Sequence, residues 1–281
     1  MLIVKTIQEF MNAKSDLGRK DTLGFVPTMG YLHDGHIELI KRARKDNKFV
    51  VASIFVNPTQ FGANEDLSSY PRDFSRDKKL LEQHECDILF YPSAKEMYPS
   101  VQPIETFVVP GKTAERLEGE LRPGHFRGVT TIVSKLLNIV DPTTTYLGQK
   151  DGQQVAVIKK LVSDLNFSTK IVVVPTVREQ DGLALSSRNT YLTSGQRKKA
   201  PYLYSSLLEA FSLYQKGETN SHILKESIIE HLKTEEEIRV DYISIADSNS
   251  LEELKIARKG CMISAAIWLG NTRLIDNIIL D

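Results

Sequence analysis

The stretch FVPTMGYLHDGHIELI, residues 25–40, decides the fold class of this chain. It begins inside an apolar run, TLGFV at 22–26, that is typical of a buried strand. It ends inside HIELIKRARK at 36–45, where apolar residues recur at helical spacing, so the pattern predicts a helix that begins near His36. A strand that leads through a short turn into a helix is the repeating unit of parallel sheets.

The same alternation fills the first 175 residues. Strands are predicted at 49–56, 88–91, 145–147 and 170–174, and helices at 73–85, 128–140 and 152–165. Strands that alternate with helices favour a parallel sheet covered on both faces. The sequence therefore predicts an α/β fold with a Rossmann-like, doubly wound parallel sheet in a domain over residues 1–175.

The pattern changes after Pro175. Helices are predicted at 195–217 and 221–233, one strand at 235–247, and two further strands within 261–280. The Gly-Asn dipeptide at 270–271 is a typical hairpin turn between the last two strands. Residues 176–281 are therefore expected to form a smaller α+β C-terminal domain.

Composition and charge argue against several classes of protein. Lys plus Arg and Asp plus Glu both number 36, and a zero net charge is unlike a protein that coats nucleic acid. The cysteines, Cys86 and Cys261, match no zinc spacing and favour a reducing compartment. No run approaches the ~18 apolar residues of a membrane span. The N-terminus carries Glu9 and lacks the long apolar core of a signal peptide. We therefore expect a cytoplasmic protein without membrane or nucleic-acid partners.

The turn between the first strand and its helix carries the strongest functional signal. Ligands bind at the carboxyl ends of strands in an open parallel sheet, and the N–H groups at a helix start favour phosphate. Gly30 and Gly35 allow close backbone approach. His33 and His36 are three residues apart, so both rings can reach the same phosphates. The alternatives are incidental polar residues and a zinc site, for which a third ligand of suitable spacing is lacking.

Two further segments carry groups that bind phosphate. GLALSSRN at 182–189 contains two hydroxyls and a guanidinium in a row, those of Ser186, Ser187 and Arg188. They can bind phosphate oxygens, or they can cap the following helix. TYLGQKDGQQ at 145–154 repeats the strand, glycine turn and helix. There Lys150 can meet phosphate and Asp151 can meet a ribose hydroxyl or a metal, and an exposed turn is the alternative.

Neutral amides follow the second strand, in SIFVNPTQF. Asn57 and Gln60 can bind a hydroxyl and a carboxylate without adding charge. The later stretch LEGELRPGHFRGV, residues 117–129, holds three basic residues before a helix, Arg122, His125 and Arg127. This basic cluster either contacts a substrate or forms a structural loop.

Five motifs, in this order and spacing, resemble the pantoate–β-alanine ligase (pantothenate synthetase) family: VPTMGYLHDGH, SIFVNPTQF, RPGHFRGV, GQKDGQQ and DGLALSSRN. The resemblance covers residues 1–281 without large insertions. His-x-Gly-His alone indicates only the wider nucleotidyltransferase superfamily. The extended histidine block together with NP-x-QF and LSSRN is far more specific.

The resemblance implies an AMP-forming ligase of pantothenate and coenzyme A biosynthesis. The carboxylate of (R)-pantoate attacks the α-phosphorus of ATP, which gives pantoyl adenylate and pyrophosphate. The amine of β-alanine then attacks the acyl carbon, which gives pantothenate and AMP. The resemblance further implies Mg²⁺ with the nucleotide, a homodimer formed through the N-terminal domain, and a C-terminal lid domain that closes over the ATP site.

The resemblance also implies roles for individual residues. His36 is the expected proton donor, and the other expected catalytic residues are His33, Lys150, Ser186, Ser187 and Arg188. The expected ATP-binding residues are Met29, Gly30, Tyr31, Leu32, His33, Asp34, Gly35, His36, Gly148, Gln149, Lys150, Asp151, Val177, Leu185, Ser186, Ser187 and Arg188. Gln60 and Gln154 are expected to bind pantoate, with Gln60 also at the β-alanine site. Asp77 is expected near Mg²⁺.

The sequence departs from the family pattern beside the ATP loop. Gly152 stands where the family commonly has an aromatic residue, and Gln149 where it often has glutamate, so the contacts of this loop stay open. Two other functions remain as alternatives. A different nucleotidyltransferase would transfer AMP to a phosphorylated acceptor, which two amides suit less well than a carboxylate-and-hydroxyl acceptor. A nucleotide-binding regulator without catalysis would not need the complete histidine, lysine, serine and arginine set.

Overall fold

Alternating strands and helices build the first of two units into which the chain divides. The computed structural model describes residues 1–18, 21–63, 65–99 and 104–281. Unit 1 consists of Met1–Gly148 and Val157–Val174. Unit 2 consists of Gln149–Ala156 and Pro175–Asp281.

Among the described residues of unit 1, six strands form one parallel sheet. In chain order they are β1 (Leu2–Val4), β2 (Leu23–Thr28), β3 (Phe49–Ile54), β4 (Ile88–Phe90), β5 (Thr144–Gly148) and β6 (Lys170–Val174). Their order across the sheet is β1-β4-β3-β2-β5-β6. The central strands are nearly continuous apolar runs because helices cover both faces of such a sheet. The predicted doubly wound parallel sheet is confirmed.

The helices connect successive strands. They are α1 (Ile7–Ser15), α2 (Asp34–Asp46), α3 (Phe74–Gln83), α4 (Ala94–Met97), α5 (Glu118–Leu121), α6 (His125–Val140) and α7 (Gly152–Asp164), the last of which contributes residues to both units. The sequence pattern did not predict β1 and α1, because three strand residues are too few to show a period. Parallel pairing of β1 with β4 stabilises the strand, and a capping box between Thr6 and Glu9 begins the helix.

The winding of the sheet reverses beside β2. From β2 the chain passes to β3 on one side, and it later returns to place β5 on the other side. β2 pairs with β3 along its whole length, whereas its described pairs with β5 are confined to Gly24 and Phe25. Strands that pair only near their starts leave a crevice at their carboxyl ends, where ligands bind in open α/β sheets. The turn after Thr28 therefore lies at the switch point of the sheet.

Unit 2 combines an antiparallel sheet with helices. Its strands are β7 (Ile238–Asp247), β8 (Cys261–Leu269) and β9 (Thr272–Ile279), and its further helices are α8 (Ser194–Lys199), α9 (Tyr202–Gln215) and α10 (Ser221–Lys233). The helix predicted over 195–217 is interrupted because Pro201 has no N–H group to continue the hydrogen-bond ladder. The predicted α+β fold of the C-terminal region is confirmed. In the part of the chain that the structure describes, no helix has the length and apolar character to span a membrane.

Candidate active site

The turn after β2 leads into α2 through a capping box made by two histidines. His33 is the N-cap residue, and its Nδ1 accepts a hydrogen bond from the N–H of Gly35 at 3.2 Å. The Nδ1 of His36 accepts one from the N–H of His33 at 3.3 Å. The helix thus begins at Asp34, two residues before the predicted start, because an imidazole takes the capping role that Ser, Thr or Asp usually fills.

The capping bonds determine which ring nitrogen carries the proton. A neutral imidazole nitrogen that accepts a hydrogen bond holds no proton, so both neutral rings carry theirs on Nε2. The centroids of the His33 and His36 rings are 4.1 Å apart. Two imidazole donors therefore lie at the positive end of α2, an arrangement that suits an anion.

A buried carboxylate holds the backbone that precedes this helix. Asp77 of α3 is 1% exposed, and its two oxygens accept hydrogen bonds from the N–H groups of Tyr31 and Leu32, both at 2.7 Å. Tyr31 has a φ of 51°, a left-handed conformation that is unfavourable for a tyrosine. Burial raises the pKa of Asp77, and the two backbone hydrogen bonds oppose that rise. The carboxylate thus stabilises the strained turn.

The role near Mg²⁺ that the resemblance implies for Asp77 stays a prediction. Both of its oxygens already accept short hydrogen bonds from the backbone. Each carboxylate oxygen has two lone pairs, so an oxygen that accepts one hydrogen bond keeps a second acceptor site. Among the described residues, no group of three or more His, Cys, Asp or Glu side chains is arranged to hold a metal ion, but Mg²⁺ held by substrate phosphates needs only one or two carboxylates. The structure adds a second role for Asp77, the support of the turn.

A second turn, after β3, presents Gln60. Residues Pro58–Gln60 form a short 3-10 helix that is capped by Asn57. The buried Gln60 side chain accepts a hydrogen bond from Nδ2 of Asn57 at 3.0 Å, and its Nε2 lies 3.2 Å from Sδ of Met29. The structure thus brings Gln60 together with the turn that leads to the histidines. Asn57, by contrast, directs its amide toward the protein rather than toward a ligand.

The RPGHFRGV motif supports this second turn. Arg122 forms a two-pronged ion pair with Glu65, with both N–O distances at 2.7 Å. Its third nitrogen donates to Nε2 of His125 at 3.1 Å, and Nδ1 of His125 donates to the carbonyl of Gln60 at 2.8 Å. Of the two alternatives for this basic cluster, the structure therefore favours the structural loop.

Helix α6 approaches the second turn backbone to backbone. A Cβ atom on Gly128 would lie 2.3 Å from the carbonyl oxygen of Thr59, so only glycine permits this packing. The carbonyl of Gly128 in turn accepts a hydrogen bond from Asn57 at 3.1 Å. The third basic residue of the motif, Arg127, lies over the ring of Phe107, 4.6 Å from its centroid. The motif thus builds a helix start that fits the turn of Gln60.

The histidine of this network is neutral. Burial, followed by the positive charge of Arg122, lowers the pKa of His125 to about 4. The proton on Nδ1 is donated to Gln60, and Nε2 accepts from Arg122. A second proton on the ring would abolish that acceptor and face the guanidinium charge.

In unit 2, strand β9 holds the loop that begins α7. The buried Asn277 donates from Nδ2 to the carbonyls of Gln149 and Lys150, both at 2.9 Å, and its Oδ1 accepts from Nε2 of Gln149 at 2.7 Å. A Cβ atom on Gly152 would lie 2.5 Å from Sδ of Met262. Both departures from the family pattern thus have a physical reason, since Gln149 bonds to β9 and Gly152 packs against β8.

Strand β9 also contacts the segment that carries the serines and the arginine. Its buried Asp276 forms a two-pronged ion pair with Arg178. Ser186 caps the 3-10 helix Ser187–Tyr191 by accepting a hydrogen bond from the N–H of Arg188 at 3.3 Å. The capping alternative therefore holds for Ser186, and both predicted phosphate segments of unit 2 are supported by one strand.

The sequence pattern did not predict most of the residues that support these turns. Only Asp276 and Asn277 left a signal, since two consecutive polar residues interrupt the apolar run LIDNIIL. The other predicted site residues lie on the expected elements. Gly148 ends β5, Lys150 pairs with Asp151 at 3.2 Å, and Gln154 is half-buried in α7.

Comparisons with known proteins agree with this architecture. A family model described as pantoate-beta-alanine ligase matches residues 2–279. A protein named pantothenate synthetase from Thermotoga petrophila is 49% identical over 281 residues, which is 100% of each chain. One of the same name from Herpetosiphon aurantiacus is 49% identical over 282 residues, again 100% of each chain.

Solved structures share the fold along the whole chain. Pantothenate synthetase from Thermus thermophilus superimposes with a TM-score of 0.94 at 45% identity, covering 100% of this chain and 99% of that one. Pantoate-beta-alanine ligase from Francisella tularensis, complexed with beta-gamma ATP and beta-alanine, gives a TM-score of 0.81 at 39% identity, covering 99% and 97%.

Asp77→Asn should destabilise the protein, because an amide offers one acceptor oxygen to two backbone N–H groups. We expect the free energy of unfolding, measured by urea denaturation, to fall by about 1–3 kcal/mol, the cost of a buried donor without a partner. Asp73→Asn on the same helix is the matched control, since asparagine keeps the capping bond that Asp73 accepts from the N–H of Arg76. Equal stability of the two variants would contradict the supporting role of Asp77.

The stability of the protein should decrease as the pH falls from 6.5 to about 4. His125 contributes to this decrease, because its pKa is lowered from 6.5 to about 4 in the folded protein. The unfolded chain binds the proton first in this range, so acid favours unfolding. His125→Asn retains a donor near the position of Nδ1 but does not titrate.

The free-energy advantage of the wild type over His125→Asn should therefore shrink by up to about 3 kcal/mol across this range. Urea denaturation of both proteins at several pH values measures it. A difference that stays constant with pH would show that His125 is not held neutral by its surroundings.

Proposed function

The chain belongs to the pantoate-beta-alanine ligase family, and on this premise we propose that it forms pantothenate from (R)-pantoate, β-alanine and ATP. An oxygen of the pantoate carboxylate bonds to the α-phosphorus of ATP, and pyrophosphate leaves. The amine of β-alanine then bonds to the acyl carbon of pantoyl adenylate, loses a proton, and AMP leaves. The Francisella tularensis relative complexed with beta-gamma ATP and beta-alanine supports these two substrates.

The observation that carries the proposal is the histidine capping box at the switch point of the sheet. Negative charge grows on pyrophosphate as it leaves, and the Nε2 donors of His33 and His36 lie at the positive end of α2. Donors fixed before the reaction stabilise such charge without reorganising. Stabilisation that grows with the charge lowers the barrier more than it tightens binding of ATP. We assign His36 as the proton donor.

The remaining contacts with ATP are proposed along the segments that the family resemblance implies. They are Met29–His36 and Gly148 in unit 1, and Gln149–Asp151, Val177 and Leu185–Arg188 in unit 2. Lys150 and Arg188 bring positive charge, and the hydroxyls of Ser186 and Ser187 bring neutral donors. These groups are proposed to act on the phosphates during adenylation.

Gln60 and Gln154 are proposed to bind pantoate, and Gln60 also to lie beside β-alanine. Amides orient a carboxylate and hydroxyls without adding charge. The attacking group is the carboxylate of the substrate, so no side chain has to become covalently bound. Catalysis then consists of positioning and of stabilising charge on the phosphates.

Mg²⁺, a homodimer and a cytoplasmic location complete the proposal. Mg²⁺ commonly binds through substrate phosphates with one or two carboxylates, so we propose that it arrives with ATP and that Asp77 lies near it. We propose the homodimer, formed through unit 1, on the family resemblance. Consumption of ATP favours the cytoplasm.

ATP, Mg²⁺ and pantoate should release pyrophosphate in the absence of β-alanine. The proposed site has no residue that holds the acyl group, so the adenylate must form before the amine reacts. With enzyme in excess over ATP, a pyrophosphate assay that omits one substrate at a time measures this first step. Pyrophosphate that appears only after β-alanine is added would disprove the two-step order.

His36→Ala should slow adenylation by roughly 10²-fold or more, the scale found when one donor to a developing oxyanion is removed. His33→Ala should act in the same direction. The second half-reaction, started from preformed pantoyl adenylate and β-alanine, has no pyrophosphate to stabilise and should change much less. Single-turnover kinetics of the two half-reactions measure both rates.

His33→Asn is the matched control for this experiment. It keeps an N-cap acceptor for α2 but removes Nε2, so it separates loss of a phosphate donor from loss of the helix cap. If the alanine variants damage both half-reactions equally, the histidines organise the whole site and have no special role toward pyrophosphate.

A further inference from the structure

The segment before the serines folds back on itself as a short hairpin, residues 177–185. The N–H of Leu185 donates to the carbonyl of Val177 at 3.0 Å, which closes the hairpin at its base. Gly182 lies in the turn with a φ of 94°, a conformation that glycine adopts without strain. Ser186 follows the hairpin directly, so the position of the hairpin determines where the serines and the arginine of this segment lie.

Arg178 fastens the hairpin within unit 2. Its guanidinium donates to the carbonyl of Gly182 at 3.1 Å and forms the two-pronged ion pair with Asp276. The face of the guanidinium lies over the ring of Tyr204 in α9, with Cζ 3.4 Å from the ring centroid. Both terminal nitrogens and one face of Arg178 are therefore engaged inside unit 2, which fixes the hairpin against β9 and α9.

Asp276 and its neighbour Asn277 reach the two phosphate segments of unit 2 from opposite faces of the sheet, because successive side chains of a strand alternate between faces. Asp276 holds the hairpin through Arg178. Asn277 gives both protons of its amide to the loop Gln149–Asp151, at the carbonyls of Gln149 and Lys150. The N–H of Asn277 also donates to Oδ1 of Asp276 at 2.8 Å. One point of β9 thus sets the spacing between the loop and the hairpin.

We propose that Asp276 and Asn277 position the phosphate donors of unit 2 for adenylation. The spacing that they set decides whether Lys150 and the serine segment can act on the phosphates of one ATP molecule together. Donors held in place before the reaction stabilise the charge that grows on pyrophosphate without having to be ordered at each turnover. This inference rests on the proposed function, in which both segments bind ATP. Asp276 and Asn277 are positioning residues that act through these segments and do not touch the nucleotide.

Asn277→Ala and Asp276→Asn should each slow adenylation at saturating ATP by at least about tenfold, since a displacement of ~1 Å can cost 10²-fold. The second half-reaction, started from preformed pantoyl adenylate and β-alanine, releases no pyrophosphate and should change only a few-fold. Single-turnover kinetics measure both rates, with pyrophosphate and pantothenate as the products followed. Equal damage to both half-reactions would overturn the inference, because the two residues would then only stabilise unit 2.

Asp241→Asn provides the matched control. Asp241 of β7 accepts from Nε of Arg273 in β9 at 2.8 Å, and both side chains are 16% exposed. This is an ion pair of the same kind in the same sheet, but it joins two strands rather than a strand and a phosphate segment. Asp241→Asn should lower the free energy of unfolding and leave the adenylation rate unchanged. If it slows adenylation as much as Asp276→Asn does, lost stability explains both effects and the inference fails.

Arg178→Lys separates positioning from stability, and it decides the matter for the hairpin if Asp276→Asn does not fold. Lysine keeps a positive charge beside Asp276, so urea denaturation should show a folded protein of nearly wild-type stability. An ammonium is a point charge and lacks the planar fork that holds two carboxylate oxygens and a carbonyl in fixed directions. Adenylation should therefore slow several-fold while the second half-reaction does not. A wild-type adenylation rate in this variant would contradict positioning through Arg178.

A double-mutant cycle tests whether Asn277 acts through the loop of Lys150. Lys150→Ala should slow adenylation, and the addition of Asn277→Ala should slow it little further, because residues that act as one unit are not additive. Multiplicative losses would mean that Asn277 acts by another route, which contradicts the inference. An unchanged rate in Lys150→Ala would instead overturn the assignment of Lys150 to the phosphates, and thus that part of the proposed function together with the inference built on it.

Discussion

The two hydrogen bonds that Asp77 accepts from Tyr31 and Leu32 are the interaction on which the histidine site depends. At the carboxyl end of each strand in a parallel sheet, the chain turns away from the neighbouring strands. Its backbone N–H groups then lose their hydrogen bonds within the sheet and need new partners. The N–H groups that follow β2 lie before the first turn of α2, so they cannot donate to carbonyls of that helix. One buried carboxylate satisfies both, ties α3 to the turn, and holds Tyr31 in a conformation it would otherwise leave. The start of α2, and with it His33, is thereby placed.

The same solution recurs within each unit, where a buried polar side chain from another element binds the backbone of a turn proposed to contact substrate. In unit 1, His125 donates to the carbonyl of Gln60. In unit 2, Asn277 donates to the carbonyls of Gln149 and Lys150. Buried polar groups are unfavourable unless they are bonded, and once bonded they fix direction as well as distance. His125 and Asn277 thus preorganise turns that are proposed to contact substrate.

The sequence predicts the sheet and its helices because periodicity is local, and it predicts the turns that carry the histidines and Gln60 because glycine, proline and polar residues interrupt that periodicity. It does not predict contacts between distant residues. Asp77 bonds to backbone groups 45 and 46 positions away, and no pattern of side chains marks an N–H that needs a partner. The family resemblance implies only that Asp77 lies near Mg²⁺, and its support of the turn became visible in the structure. The start of α2 was placed two residues late because histidine is an uncommon helix cap.

The surroundings of Gln60 are neutral, and this suits its proposed contact with a substrate whose carboxylate is the nucleophile. A lysine in place of Gln60 would bind the carboxylate more strongly, but it would stabilise charge that leaves the carboxylate in the transition state, and so raise the barrier. A fixed amide orients the same oxygen without that effect. The basic motif nearby is arranged consistently with this need. Arg122 is paired with Glu65, and His125 stays uncharged because its pKa is lowered to about 4. Neither residue then competes with the α-phosphorus for the attacking electrons.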